Sequence, residues 1–167
     1  MMKRFLAVLV VPLALFSAMP AFGQDTMMER FFRGKSTATG SFSAVNGVKR
    51  QFDVVLTGRV RGDTLTVRED FVYSDGERDR KTWRFVRTGP ATYSGTREDV
   101  VGTTTLRVDG NTARFTYLVD LDAGPGKNIV RFVDKMVLAE DGRSITNMAT
   151  VWKYVFPVAR VKVDFKR

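Results

Sequence analysis

The sequence contains no cysteine and no histidine among its 167 residues. Without cysteine the chain cannot form a disulfide, a thiolate nucleophile or the lipid-modified terminus of a bacterial lipoprotein. Without histidine it lacks the commonest general base and the commonest zinc ligand. We therefore predict no catalytic residue, no metal site and no cofactor.

The N-terminal segment has the layout of a secretory signal peptide. Met1–Arg4 form a short basic region, "FLAVLVVPLALF" is apolar, and "SAMPAFG" ends in small residues. The apolar run is shorter than the ~20 residues of a membrane-spanning helix, and two prolines interrupt this region. The alternative is an uncleaved membrane anchor. We predict cleavage before Gln24, so that residues 1–23 are the signal peptide, 24–167 are one mature domain, and the protein is periplasmic and not a lipoprotein.

Basic side chains outnumber acidic ones, with a formal net charge of +9, or +7 once Lys3 and Arg4 leave with the signal peptide. A basic exported protein meets anionic lipid headgroups more readily than nucleic acid. An anionic membrane surface is therefore a candidate partner, and nucleic acid is not. The charges also alternate with apolar residues, which is typical of a solvated strand face, and both interpretations stay open.

Turn signals recur at regular intervals along residues 24–167, as in "VNGV", "VRGD", "YSDGE", "RTGPA", "VDGNT", "LDAGPGK" and "AEDGRS". The segments between them alternate apolar and polar residues, which predicts short antiparallel strands. Only "TMMERFFRGK" indicates a short helix, with Met28, Phe31 and Phe32 on one face and Gly34 as its end. About nine or ten strands with one apolar face each favour an all-β, up-and-down barrel, because closure removes exposed edges. We expect a monomer.

Four polar residues fall on the predicted inner face of this barrel: Glu69, Asp134, Asn147 and Lys153. Buried charges without partners are costly, so these groups should pair or face a hydrated cavity. One interpretation is a structural network in which Lys153 pairs with Glu69 or Asp134. The other is a set of polar anchors in an apolar pocket. The candidate ligand-binding residues of the barrel interior are Glu69, Tyr73, Trp83, Tyr117, Asp134, Asn147 and Lys153.

Three stretches, "EDFVYSDGERDRKTW", "YSGTREDVVGTTT" and "ITNMATVWKY", carry a resemblance that extends from "FFRGKSTATGSF" to "VKVDF". The chain resembles the bacterial domain-of-unknown-function family 3833. The resemblance implies a small envelope protein with a lipocalin- or calycin-like barrel and no assigned function. Two departures matter: the lipoprotein cysteine is absent, and Met148 replaces a usual arginine, which weakens a role in binding anionic ligands.

Three functions agree with these features. The first is binding of a lipid-like or other largely apolar small molecule inside the barrel. The second is a structural or accessory role in the cell envelope, with a packed interior and no ligand. The third is an enzyme using Glu69 and Asp134 as acid and base, tuned by Lys153. Because the chain lacks histidine, cysteine and a serine with a visible base partner, we expect no enzymatic activity.

Overall fold

The computed structural model describes residues 23–121 and 128–167. All of the predicted signal peptide except Gly23 lies outside these residues, as does most of the turn "LDAGPGK". No helix in the described ranges is long and apolar enough to cross a membrane. The elements in chain order are α1 Met27–Phe32, β1 Gly34–Ala44, β2 Lys49–Arg61, β3 Thr64–Tyr73, β4 Arg78–Gly89, β5 Thr92–Thr96, β6 Thr104–Asp109, β7 Thr112–Asp120, β8 Ile129–Leu138, β9 Ser144–Lys153 and β10 Phe156–Lys166.

The strands close into a single antiparallel barrel in which each strand pairs with its neighbours in the chain. The first and last strands complete the ring: Thr37 lies opposite Lys166, and Ala44 lies opposite Ala159. Closure pairs every strand with a neighbour on both sides, which leaves no outermost strand, although residues 78–83 of β4 extend beyond the short β5. The predicted all-β, up-and-down barrel with a short N-terminal helix is confirmed.

Glycines occupy the strained positions of most hairpin turns. A positive φ is costly for residues that carry a Cβ and free for glycine, and it occurs in the turns at Gly47, Gly62, Gly76, Gly110 and Gly142. The β9–β10 hairpin departs from this pattern. Its two-residue loop places Tyr154 at φ 55°, and no other non-glycine residue in the described ranges has a positive φ.

The barrel is filled with side chains at the end where α1 lies, termed here the closed end. The largest fully buried side chains are Met27, Phe31, Leu56, Leu65, Tyr93, Leu106 and Ile145. Gly58 on β2 allows the helix to approach the sheet, because a Cβ there would lie 1.6 Å from the carbonyl oxygen of Phe32. The helix therefore packs directly on the strand backbone.

Buried polar groups hold α1 in place. Thr26 and Glu29 form a capping box at the start of the helix, and the Tyr93 hydroxyl donates to Glu29 Oε1 at 2.5 Å. Burial acts to raise the pKa of Glu29, but the hydrogen bonds from Tyr93, Thr26 and the backbone outweigh it and lower that pKa. Arg87 Nη2 also donates to the carbonyl oxygen of Gln24 at 3.0 Å. These bonds join the segment before the helix to the barrel wall.

Candidate functional site

The half of the barrel away from α1 encloses a cavity of about 380 Å³. Met28 and Phe32 of α1 line it at the closed end. At the opposite end the lining side chains are only half-buried, and they include Phe42, Phe52, Phe71, Tyr73 and Phe132. This opposite end is termed the mouth. The cavity is therefore closed by the helix and opens between the aromatic side chains of the mouth.

Aromatic rings form a continuous wall along one side of the cavity. Trp83 stacks on Phe85 with ring centroids 5.0 Å apart, and its edge meets Tyr117 at 5.1 Å. Tyr117 in turn stacks between Phe115 and Phe132, each at 5.3 Å. Strand alternation brings these rings to the inner face, because they occupy every second position of their strands. The wall offers a broad apolar surface to a guest molecule.

Arg97 lies in this cavity, and sequence analysis did not identify it. Its guanidinium carbon is 4.7 Å from the centroid of the Trp83 ring. Arg97 bonds to Asp99 through Nε at 2.7 Å and Nη2 at 3.2 Å, and its Nη1 lies 3.8 Å from Glu69 Oε2. The side chains of Arg97 and Glu69 are each only 12% exposed. Arg97 is therefore the cation that accompanies the inward carboxylate.

Glu69 points into the barrel, as its place in the alternation predicts. Burial raises the pKa of Glu69 to about 7; Arg97 acts against this increase, and Asp99 and Glu98 add to it. Glu69 Oε2 accepts no hydrogen bond from the described part of the chain. Near neutral pH this group can therefore present either a carboxyl proton or a carboxylate oxygen to the cavity.

Asp134 and Asn147 form a second polar pair on the neighbouring strands β8 and β9. Asn147 Nδ2 donates to Asp134 Oδ1 at 2.6 Å. Burial raises the pKa of Asp134 to about 6, against the hydrogen bond from Asn147 and the charge of Arg97. Asn147 Oδ1 accepts no hydrogen bond from any residue that the structure describes. Since the amide nitrogen is already engaged, the oxygen can accept a hydrogen bond from a guest.

Six of the seven predicted site residues line the cavity: Glu69, Tyr73, Trp83, Tyr117, Asp134 and Asn147. Lys153 does not. Its Nζ donates to Asn128 Oδ1 at 2.7 Å and to the Ile129 carbonyl oxygen at 3.0 Å. The predicted pairing of Lys153 with Glu69 or Asp134 is wrong, because Lys153 ends β9 and its long side chain turns to the start of β8.

The cavity also receives charged residues that were not among the predicted site residues. Lys81 lies 3.3 Å from Asp99 Oδ2 and 3.0 Å from Asp79 Oδ2, and Lys81, Arg97 and Asp99 all line the cavity. Arg97 and Asp99 continue the inward parity of Tyr93 and Gly95 beyond the end of β5, but outside a strand no pairing register requires this orientation. An energetic argument could have predicted a cation such as Arg97 here, because a buried carboxylate needs a nearby positive charge.

Met148 lies on the outer face of β9 and is 47% exposed. An arginine at this position would therefore point away from the cavity. The replacement of arginine by Met148 does not bear on what the cavity binds. Within the described ranges, no group of three or more acidic side chains is arranged to hold a metal ion.

Comparison with known proteins assigns the chain to a family. The family described as "Protein of unknown function (DUF3833)" matches residues 17–167. The chain belongs to the DUF3833 family. This assignment confirms the resemblance seen in the sequence motifs. No curated protein is significantly similar in sequence to this DUF3833 member.

Two solved structures share the barrel of this DUF3833 protein. The crystal structure of Rv2717c from M. tuberculosis aligns with a TM-score of 0.59 at 12% identity, covering 81% of this chain and 92% of that one. The S-type phycobiliprotein lyase CPES from Guillardia theta aligns with a TM-score of 0.55 at 7% identity, covering 82% and 86%. At these identities the similarity establishes the fold alone.

Proposed function

We propose that this DUF3833 protein is a binding module whose barrel holds one largely apolar, lipid-like small molecule. The observation that carries the proposal is the aromatic cavity of about 380 Å³, closed by α1 and open at the mouth. A volume of this size lies within the ~300–1,000 Å³ of typical small-molecule pockets. A purely structural barrel would gain stability by filling this space with side chains.

The polar groups of the cavity define what the guest must carry. Glu69 Oε2 and Asn147 Oδ1 are buried acceptors without a hydrogen bond from the described residues. Buried acceptors left unpaired lower stability, and a guest hydroxyl or amide N–H would satisfy them. We infer a guest with an apolar body that lies along the rings and a polar end that donates hydrogen bonds. A lipid with a hydroxyl or amide at one end has this character.

A cavity-filling substitution with a matched control tests the proposal. Ala149 lines the cavity, and its neighbour Met148 faces outward on the same strand. Ala149→Phe should reduce affinity for a fluorescent long-chain alcohol at least ~10-fold, because the added ring occupies the guest's volume. Met148→Phe, with its ring on the outer wall, should leave affinity unchanged. Thermal melting verifies that both variants fold.

Other results would contradict the proposal. Equal affinity for the probe in the parent and in folded Ala149→Phe would place the bound probe outside the cavity. Val161→Phe provides a second filling variant, since Val161 lines the half-buried mouth. Native mass spectrometry of protein purified from its own cells addresses the natural guest. A co-purifying lipid-like mass supports binding, and a clean apo mass together with no probe affinity supports the structural alternative.

The proposal places the protein in the periplasm as a monomer. Support for export comes from the basic, apolar and small-residue regions before Gln24, and N-terminal mass analysis of the exported protein tests it. Support for a monomer comes from closure of the barrel, which leaves no outermost strand to pair with a second copy. Light scattering of the purified protein tests this point.

The proposal is binding without catalysis. Glu69 and Asp134 have raised pKa values, but buried carboxyls acquire such values through desolvation alone. The chain also offers no histidine or cysteine to act as base or nucleophile. Recovery of an unmodified guest after long incubation with the protein is the expected result, and a changed guest mass would favour the enzymatic alternative.

A further inference from the structure

The most exposed apolar side chains of the described residues all lie at the mouth of the barrel. The five with the largest exposed fractions are Tyr154 at 83%, Val45 at 78%, Val155 at 74%, Phe156 at 67% and Leu121 at 56%. The turns at the closed end that the structure describes carry no exposed large apolar residue. Exposed apolar groups gathered at one place usually mark an interaction surface.

Four of these residues form one contiguous tip. Tyr154, Val155 and Phe156 belong to the β9–β10 hairpin, and Val45 belongs to the β1–β2 turn beside it. The two turns are joined by a hydrogen bond from Val45 N to the Val158 carbonyl oxygen at 2.9 Å. The apolar tip is defined here as Val45 together with residues 154–156.

The conformation of Tyr154 indicates that its side chain is retained for a reason other than folding. Tyr154 has a φ of 55° in a two-residue hairpin loop, where glycine, asparagine or aspartate is favoured. Five other turns of this barrel place glycine at their positive-φ position. A bulky residue kept under backbone strain and 83% exposed gains nothing from packing, and strain of this kind concentrates at functional sites.

Two lysines flank the apolar tip in its own turns. Residues 45–49 and 153–158 include Lys49 and Lys153 and no acidic residue. Lys153 Nζ bonds to the neutral oxygens of Asn128 and Ile129, so these bonds do not compensate its charge. The acidic residues of the β3–β4 turn, Asp75 and Glu77, are both engaged by Arg50.

An amphipathic side chain lies just behind the tip on the outer wall. Trp152 is half-buried, and the Arg131 guanidinium carbon lies 5.7 Å from the centroid of its ring. Tyrosine and tryptophan are enriched at the level of lipid headgroups, where one end of each ring is apolar and the other is hydrated. Basic residues beside them attract anionic headgroups.

We propose that the apolar tip, with Lys49, Lys153 and Arg131 around it, docks the mouth of the barrel onto an anionic lipid bilayer. The aromatic and aliphatic tip inserts at the headgroup boundary, and the basic residues contact the negative surface. A protein partner is the less favoured occupant, because a four-residue convex tip is far smaller than the ~800 Å² per partner of a stable protein interface. The inference does not depend on whether the cavity holds a guest.

Vesicle flotation with a matched pair of variants tests the proposal. The exported protein, with its N-terminus determined by mass spectrometry, is compared with variants that have the same N-terminus. Tyr154→Asn combined with Phe156→Thr replaces the exposed rings with residues suited to a turn and a strand. This variant should bind phosphatidylglycerol-containing vesicles at least about tenfold more weakly than the parent, with an unchanged or higher melting temperature.

The control removes exposed apolar side chains elsewhere on the barrel. Val55 is 50% exposed and Met148 is 47% exposed on the outer wall, and their combined replacement by threonine should leave vesicle binding unchanged. Lys49→Gln tests the charge and should weaken binding about fivefold, since each basic residue near an anionic surface contributes a factor of this order. Binding of the parent to phosphatidylcholine vesicles should be much weaker.

Several outcomes would overturn the proposal. The tip variant could bind anionic vesicles as tightly as the parent, or the outer-wall control could lose as much binding as the tip variant. Equal binding of the parent to anionic and neutral vesicles would also contradict it. Crosslinking to a protein through residue 154, with vesicle binding unchanged in the tip variant, would assign the tip to a protein partner. Ala149→Phe should keep vesicle binding, so failure of the cavity proposal remains distinguishable.

Discussion

The two ends of this barrel differ in the hydrogen bonding of their buried polar groups and in the exposure of their apolar side chains. At the closed end, Glu29 and Tyr93 are buried and hydrogen-bonded to each other, and the turns are polar. At the mouth, the loops carry exposed rings such as Tyr154, and the cavity below contains unpaired buried acceptors. Of the buried side-chain polar atoms without a hydrogen bond in the described residues, Ser36 Oγ lies toward the closed end, whereas Glu69 Oε2, Asp134 Oδ2 and Asn147 Oδ1 belong to residues that line the cavity. Stability is therefore concentrated near α1, and the features that need a partner are concentrated at the mouth.

The largest expected effect comes from Arg97, the buried cation in the less completely packed half. Arg97→Met leaves Glu69 and Asp99 close together without their shared positive partner, and removal of one member of a buried ionic group costs ~3–5 kcal/mol. Urea unfolding of the variant measures the loss. The matched control is Arg68→Met, because Arg68 is 49% exposed and bonds to Asp70 on the outer face; such exposed pairs contribute ~1 kcal/mol or less. Similar losses in both variants would mean that Arg97 is solvated.

The next effect concerns the closed end. Gly58→Ala should lower the free energy of unfolding by ~3 kcal/mol, because the new Cβ would overlap the Phe32 carbonyl oxygen and displace α1. Gly89→Ala is the control, since a Cβ there would meet Thr92 at an ordinary 3.7 Å. Chemical denaturation measures the free energy of unfolding of both variants. A Gly58→Ala protein as stable as the control would show that α1 does not rest on β2.

A pH-dependent effect follows from Glu69. Its native pKa of about 7 exceeds its ordinary value of 4.5, so between these pH values the folded state binds more protons than the unfolded state. The contribution of Glu69 to stability therefore falls as the pH rises from 4.5 to 7 and is constant outside that range. The glutamine of Glu69→Gln does not titrate. The free energy of unfolding of this variant minus that of the parent should therefore increase by ~2–3 kcal/mol as the pH rises through this window. Thermal melts at several pH values measure the difference.

Asp70 should make stability change with pH in the opposite direction, so it serves as the control for Glu69. The hydrogen bond from Arg80 lowers the pKa of Asp70 below its ordinary 3.8, so its stabilising contribution is present at neutral pH and is lost as the pH falls through the acid range. Asp70→Asn should therefore differ from the parent above pH 3.8 and converge with it at lower pH. A constant difference between Glu69→Gln and the parent over the whole range would contradict the assigned burial of Glu69.

The smallest expected effect is a gain in stability. Tyr154→Asn alone should raise the free energy of unfolding by up to ~1 kcal/mol, because asparagine tolerates a positive φ better than tyrosine does. Differential scanning calorimetry measures the gain. The matched change Tyr73→Asn, at a half-buried aromatic of the mouth, should instead destabilise. A destabilised Tyr154→Asn protein would mean that the tip packs against the barrel and is not free to contact a partner.

Much of this architecture could be predicted from the sequence, because strand alternation depends only on which residues are apolar. It correctly assigned Glu69, Asp134 and Asn147 to the interior. It failed where strands end. Arg97 keeps the inward parity of Tyr93 and Gly95 but follows the last residue of β5, and Lys153 is the last residue of β9, so neither orientation is fixed by continued pairing. The hydrogen bond between Glu29 and Tyr93 joins residues 64 positions apart, and no local pattern indicates such a contact.

The pairing of β1 with β10 has a consequence for how the chain reaches its native state. It brings Thr37 opposite Lys166, so the ring cannot close until β10 is available. Pairings between such distant segments form slowly, since a long loop must be ordered first. Until β10 joins, the outer edges of β1 and β9 remain open to other chains. A chain in which β10 has not yet paired is therefore an open sheet, and it becomes a closed ring only when β10 joins β1.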